Sequence, residues 1–454
     1  MNPEFRRNVW LELTPRRLLT MTVVLVLVFF AAALSGSDWP PAGAAKTLYY
    51  FIVVLWGARN AALSVVGEIR DRTWDSQRLS ALSAGEMVWG KLFGATIFNW
   101  YGGAICLAVV LVYEATHQGP LTAVIDVVYF VAIGVIAQSV ALLASLVAVL
   151  RRQTHSRLEI FGYQAAGLVA AIAVFYVWEA ADPAGSFITH KPPTDFIPWW
   201  GHAFDARAFL LLSLAAFAAW TFVGCYREMR VELKLRNGAL VWLGFLLFMG
   251  VYVAGFDAWP PHGPSAVARD VTTLRLALTA VTFGVLTYAM VLLEPKNLVL
   301  YRWLGAEIGA GRILRAANSL QGWMMSYLAT FAVVVVLIVW LLLQEAQAPP
   351  DAALAGSAMG FLTRDVAIFL LLQTLPGPRR GDFTALVVLF SLYVLAPAIL
   401  VGLGLKQTIV LFYPQSSGAL WLSPAIAWAQ AVILVSLVVS RLAAGTKPAS
   451  AAAG

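Results

Sequence analysis

The residue types able to do chemistry are sparse in this chain and poorly assembled for it. Gly85, Gly90 and Lys91 spell G-x-x-x-x-G-K. A phosphate-binding loop needs a Ser or Thr next, for magnesium, and slim residues within the loop. Leu92 follows instead, and Met87, Val88 and Trp89 fill the loop. No other segment offers a nucleotide site, so neither ATP nor magnesium is expected on this chain. His190, Asp195, His202 and Asp205 are metal-ligand types, but their irregular spacing matches no structural metal site. Cys106 and Cys225 lie in or beside apolar runs and read as packing residues, not as a disulfide or metal pair. No catalytic group, cofactor site or metal site is assigned.

Polar groups inside apolar runs are the remaining candidates, because a charge in hydrocarbon is costly and commonly functional. Arg59 and Asn60 interrupt the second run, and Arg275 lies in the outer part of the eighth. They read equally as lining a substrate path or as groups that pair internally or snorkel.

The elements around these residues are set by composition. Of 454 residues, 60% are hydrophobic and 12% charged, against roughly 25% charged in soluble domains. Apolar runs long enough for a bilayer core recur along the chain, and they are continuous rather than alternating, which implies helices and not a barrel. The expected spans are Leu18–Leu34, Leu48–Val66, Leu92–Tyr113, Ala123–Leu150, Ile160–Ala180 and Ala206–Tyr226. A second set comprises Ala239–Phe256, Val271–Leu293, Trp323–Leu343, Ala355–Leu375, Phe383–Leu405 and Leu422–Ser440. The fold class is therefore an all-α polytopic membrane protein of about twelve helices. Arg364 and Asp365 interrupt the tenth run.

Basic residues cluster on alternate loops, for example Arg6, Arg7, Arg16 and Arg17, then Arg70, Arg72 and Arg78, then Arg227, Arg230 and Lys234. This placement assigns both termini to the cytoplasm and the net charge of +7 to lipid headgroups and cytoplasmic partners rather than nucleic acid. Trp and Pro mark the opposite rim. The N-terminal stretch Glu4–Arg17 places Phe5, Val9, Trp10 and Leu13 on one helical face, an interfacial elbow before Pro15. Six spans recur twice, with the longest cytoplasmic loop after the second span of each half. Domains of 1–236 and 237–454 are expected, as a weak parallel repeat.

The first of those loops, Gly67–Gly94, carries the most information. Thr73 can cap a short helix with Asp75 and Ser76 in its first turn. Leu79 and Leu82 lie three apart on one helical face, and Arg78 points elsewhere. The stretch resembles permeases of the ABC-2 superfamily, at Glu68, Arg72–Thr73–Trp74–Asp75, Leu79, Leu82, Ser83–Ala84 and Gly90–Lys91. It departs from their pattern in Arg-Thr-Trp-Asp for Gly-Thr-Leu-Glu, and in Ala84 for the common proline. The resemblance implies two six-helix ABC-2-like halves, a coupling helix that docks on a nucleotide-binding ATPase subunit, two copies of that subunit, ATP and magnesium bound there, and export across a bacterial inner membrane. The counterpart loop Glu294–Gln321 keeps the acidic start and an apolar face of Leu298, Leu300, Trp303 and Leu304. Glu294, Arg302, Trp303 and Glu307 are its docking candidates. Two alternatives stay open: a twelve-span secondary transporter, and a membrane-embedded transferase acting on lipid-linked substrates.

Overall fold

The computed structural model describes residues 2–35, 40–150, 157–180, 196–235, 237–257, 270–344, 348–374, 381–415 and 421–444. Two compact units divide the chain: Met1–Ile197 with Ala203–Asn237, and Pro198–His202 with Gly238–Gly454. In the first lie α1 (Pro3–Glu12), α2 (Pro15–Leu34), α3 (Pro41–Tyr49), α4 (Gly57–Arg70), α5 (Trp74–Arg78), α6 (Ala84–Trp89), α7 (Ile97–His117), α8 (Pro120–Leu150), α9 (Arg157–Ala180) and α10 (Ala206–Glu232). The second holds α11 (Leu240–Ala254), α12 (Val271–Leu293), α13 (Leu298–Gly309), α14 (Ile313–Ala317), α15 (Gly322–Leu343), α16 (Ala348–Thr374), α17 (Gly381–Phe390), α18 (Ala396–Gly402) and α19 (Leu422–Ala444). The only sheet among the described residues is a hairpin of β1 (Phe196–Trp199) and β2 (His202–Asp205). Its turn has Trp200 and Gly201 at positive φ, as a two-residue hairpin of this twist requires.

Local chemistry starts and stops the helices. α1, α2, α3 and α8 each begin on a proline, whose missing N–H is not needed in a first turn. The Asn2 side chain caps α1, Asp205 caps α10, Asn297 caps α13, and Ser83 with Glu86 forms a reciprocal capping box on α6. The amide and hydroxyl of Ser83 hold the Glu86 carboxyl below the usual carboxylate range.

Eleven helices among the described residues are long and apolar enough to cross a membrane. The twelfth expected span differs. α11 has 15 residues, about 22 Å at 1.5 Å per residue, and falls short of a bilayer core of about 30 Å. Apolar Ala239 and Phe256 flank it in sequence without extending the helix.

The second span is built in three parts: α3, a π-helical stretch Tyr50–Trp56, and α4. Wide π turns disturb the regular backbone ladder, and in hydrocarbon no water can compensate. Three carboxamides do so instead. Asn99 of α7 donates to the Ile52 carbonyl at 2.8 Å, Gln138 of α8 to Val53 at 3.0 Å, and Gln164 of α9 to Leu55 at 3.0 Å. Just beyond, Ala58, Ala61, Ala62 and Val65 are fully buried, and such small side chains let α4 approach its neighbours closely. Gly57 is required there, since a Cβ would stand 2.4 Å from the Gln138 amide nitrogen.

Gln138→Leu should therefore strand the Val53 carbonyl and lower unfolding free energy by about 1–3 kcal/mol. Gly57→Ala should be destabilising in the same way, while Gly67→Ala, which meets open space, should not. Thermal unfolding of the detergent-solubilised chain measures all three.

Candidate functional site

Lys91, just before α7, is the centre of a buried charge cluster. Its side chain is 1% exposed, and a lone ammonium could not remain there. Its Nζ pairs with Glu68 at the end of α4, donates to Gln77 Oε1 of α5 at 3.1 Å and to the Ser64 carbonyl at 3.2 Å, and lies 3.7 Å from Glu4 of α1. The ammonium also sits 5.1 Å from the centre of the Trp74 ring. Glu68 further accepts from Gln77 Nε2 at 2.5 Å and from Arg7 at 2.8 Å, and Arg7 binds Glu4 at 2.8 Å as well. The C-terminal end of α10 joins the same assembly. Glu232 accepts from the Trp74 indole at 3.1 Å and lies 3.6 Å from Arg78. One turn of helix, α5, is thus tied to the elbow helix and to the second, third and sixth spans at once.

Close approach of α1 makes this possible. A Cβ at Gly90 would lie 2.4 Å from Glu4 Cγ and 3.1 Å from the Phe5 amide nitrogen, so only glycine leaves room for the elbow. Asn2 donates to the Glu86 carbonyl at 2.7 Å and Asn8 to the Gly90 carbonyl at 3.1 Å, which fixes the elbow along its length. The Gly90–Lys91 pair, which mimics a phosphate loop in sequence, serves this packing.

Several sequence expectations are corrected here. Thr73 occupies the N-cap position of α5, but its hydroxyl donates to the Glu68 carbonyl at 3.2 Å and caps nothing in α5. Trp74 and Lys91, expected at a docking surface, are buried. Leu79 and Leu82 do not share a face, because α5 ends at Arg78 and helical spacing stops applying. Leu79 is 88% exposed, whereas Leu82 packs on the core with Met87 and Met229. What faces outward is Arg72, in the left-handed region at φ +59°, together with Asp75, Ser76 and Leu79.

The counterpart loop is built differently. Glu294 accepts from the Gly322 and Trp323 amides at 2.9 and 3.0 Å and so caps α15. Glu307 of α13 forms a two-pronged pair with Arg312 at 2.7 and 2.9 Å. Trp303 is exposed, Leu304 is buried, and Arg302 is half-buried, its Nε without an acceptor among the described residues. A buried lysine occurs there too: the Lys296 side chain is 2% exposed, binds Asp382 at 2.5 Å and lies 5.6 Å from the centre of the Phe369 ring.

The three intramembrane candidates separate. Asn60 donates to Asn99 Oδ1 at 2.9 Å, which orients the amide that serves Ile52. Arg275 pairs with Asp257 at 2.6 Å and lies 4.6 Å from the Trp200 ring, so it is internally paired. Arg59 is exposed, with no hydrogen bond or ion pair among the described residues. Of the four metal-ligand types, His190 and Asp195 lie outside the described residues, and Asp205 accepts from the Ala208 amide at 2.9 Å.

Further polar groups were not assigned as site residues from the sequence. Lys46 binds Glu114 at 2.7 Å and Asp126 at 3.4 Å, all in the first unit. In the second, Arg364 and Asp365 form a pair at the middle of α16, with Nε to Oδ1 at 2.9 Å. Tyr288 and Tyr393 each donate to Asp365 Oδ2 at 2.7 Å, and Gln430 accepts from Arg364 at 3.0 Å. The Arg364–Asp365 pair shows in the sequence only as the interruption of an apolar run.

Among the described residues, eleven membrane-length apolar helices, with their buried charges paired, define an all-helical multi-pass membrane protein. No protein-family model matches the chain, and neither a curated protein nor a solved structure matches it.

Lys91→Met should leave Glu68 and Glu4 with Arg7 as their remaining cation and cost up to about 3–5 kcal/mol, the scale for breaking a buried pair. Combined with Glu68→Gln the loss should be smaller than the sum of the two single losses. Additive midpoints in detergent unfolding would show that these residues act separately.

Proposed function

We propose that this chain is the membrane-spanning permease of a transporter energised by a separate ATPase subunit, which docks on the outward face of α5. The observation that carries the reading is the grip on α5 from four directions, by α1, Glu68, Lys91 and Glu232, while Asp75, Ser76 and Leu79 stay uncovered. A force applied to that face reaches three spans through buried ion pairs and hydrogen bonds, which are stiff because leaving any one of them unmade is costly. The similarity of Glu68 to Lys91 to the ABC-2 coupling segment supports the same role. On this reading ATP and magnesium bind the partner, two ATPase copies complete the assembly, both termini and α5 are cytoplasmic, and the membrane is a bacterial inner membrane. Export is favoured by the same similarity. Glu294, Arg302, Trp303 and Glu307 would serve a second contact, with Trp303 the group best placed to be touched.

A second reading, secondary transport, is favoured by one observation: Asp365 is a buried carboxylate at mid-helix, where ion coupling places its acidic groups. Reconstitution separates the two. On the first reading, purified chain alone is silent in vesicles, and transport appears with the co-expressed ATPase and ATP. Gradient-driven transport by the chain alone would decide for the second.

Co-expressed ATPase should co-purify with the wild-type chain, and Leu79→Asp or Asp75→Arg should reduce recovery by about tenfold. Ser76→Cys should react with an impermeant thiol reagent only from the cytoplasmic side, against a low background because Cys106 and Cys225 are buried. Labelling from outside intact cells would overturn the proposal.

A further inference from the structure

The turn between α13 and α14 presents apolar side chains outward. Ile308 is 57% exposed, Ile313 66% and Leu314 83%. The turn itself is firmly built. Gly311 takes φ +73°, its amide donates to the Ile308 carbonyl at 3.0 Å, and the Arg312 amide donates to the Glu307 carbonyl at 2.9 Å. Those two bonds close a helix over a left-handed glycine. The two-pronged Arg312–Glu307 pair holds the same turn through side chains, and buried Ala316 seats α14.

Its depth follows from the tethers of the loop. Lys296 binds Asp382 at the start of α17 at 2.5 Å, Tyr301 donates to Gln321 beside α15 at 3.0 Å, and Gln321 donates to the Pro295 carbonyl just after α12 at 3.0 Å. α13 and α14 are therefore held across the ends of three membrane-length helices, at the level where hydrocarbon gives way to headgroups. Charge offered outward there has one sign. Glu294 and Glu307 are the only acids from 294 to 321, and one caps α15 while the other is buried against Arg312. Arg315 is exposed, and its guanidinium has no hydrogen bond or ion pair among the described residues. The outward face of α5, by contrast, carries Asp75 and Ser76.

We propose that the α13–α14 turn docks on an anionic phospholipid leaflet, with Ile308, Ile313 and Leu314 in the upper acyl region and Arg315 on a lipid phosphate. Apolar side chains of interfacial elements reach about 5–10 Å into that boundary. A guanidinium meets phosphate oxygens through paired, charge-assisted bonds. Ile308 lies about 140° around α13 from Trp303, at 3.6 residues per turn. The lipid thus takes the flank that a partner touching Trp303 leaves bare. The inference goes beyond the ATPase reading and is tested on the chain alone.

The test places a bimane fluorophore on Leu314→Cys in the purified full chain, in bilayer nanodiscs, with bimane on Ser76→Cys of α5 as the aqueous reference. Cys106 and Cys225 are buried and give little background. Lipids brominated high on the acyl chain should quench the Leu314→Cys probe, and aqueous iodide should not. At equal low content, brominated phosphatidylglycerol should quench about fivefold more strongly than brominated phosphatidylcholine, the enrichment one arginine near the surface gives. Arg315→Gln should abolish that preference in protein that melts as wild type, while quenching in fully brominated discs persists. Iodide quenching at the level of the aqueous reference, or equal quenching by the two brominated lipids, would overturn the proposal. A probe open to iodide until the co-expressed ATPase binds would overturn it too, and would give the turn to that protein.

Discussion

Hydrocarbon offers no hydrogen bonds, and this single constraint accounts for most of the polar architecture of the chain. Where the π-helical stretch Tyr50–Trp56 disturbs the backbone ladder, three carboxamides from three helices take up carbonyls. Where Lys91 is buried, two carboxylates, an amide oxygen and a carbonyl surround it. Where Arg364 and Asp365 break an apolar run, two phenols and an amide from other helices close round them. Each network ties helices that are far apart in sequence, so each polar group that cannot be wetted becomes a crosslink.

The need to pair every buried polar group also gives a short loop a fixed shape. α5 is only one turn long and would not persist as an isolated helix. Its shape is imposed by Trp74 and Gln77 reaching inward, and by the left-handed turn at Arg72 that redirects the chain from α4. The residues doing this holding cannot at the same time be offered to a partner. The division of labour between Trp74, Gln77 and Lys91 within and Asp75, Ser76 and Leu79 without follows from that.

What was legible in the sequence is what depends on local composition. Eleven of the twelve expected spans and a helix ahead of Pro15 follow from apolar run length and proline position, while α11 stops inside its apolar run. Burial was not legible, because it is a tertiary property. Lys91 and Arg78 look alike as basic loop residues, yet one is enclosed and the other lies at the rim. Leu79 and Leu82 look like one face only if the helix continues, and it does not. Asn99, Gln138 and Gln164 carry no signal of their own, since their partners are backbone carbonyls. The Arg364–Asp365 pair was visible as an interruption, but Tyr288, Tyr393 and Gln430 come from three other helices and no spacing rule connects them.

The π-helical stretch in the second span has one more consequence. Wide turns take up more residues per revolution than the α-helix on either side, so the faces of α3 and α4 are offset from where an unbroken α-helix would put them. A single-residue insertion or deletion between Tyr50 and Trp56 would shift the Ile52, Val53 and Leu55 carbonyls off the amides of Asn99, Gln138 and Gln164. The second span is therefore keyed to its neighbours at this stretch, and its two ends keep their phases only while the number of residues between them is unchanged.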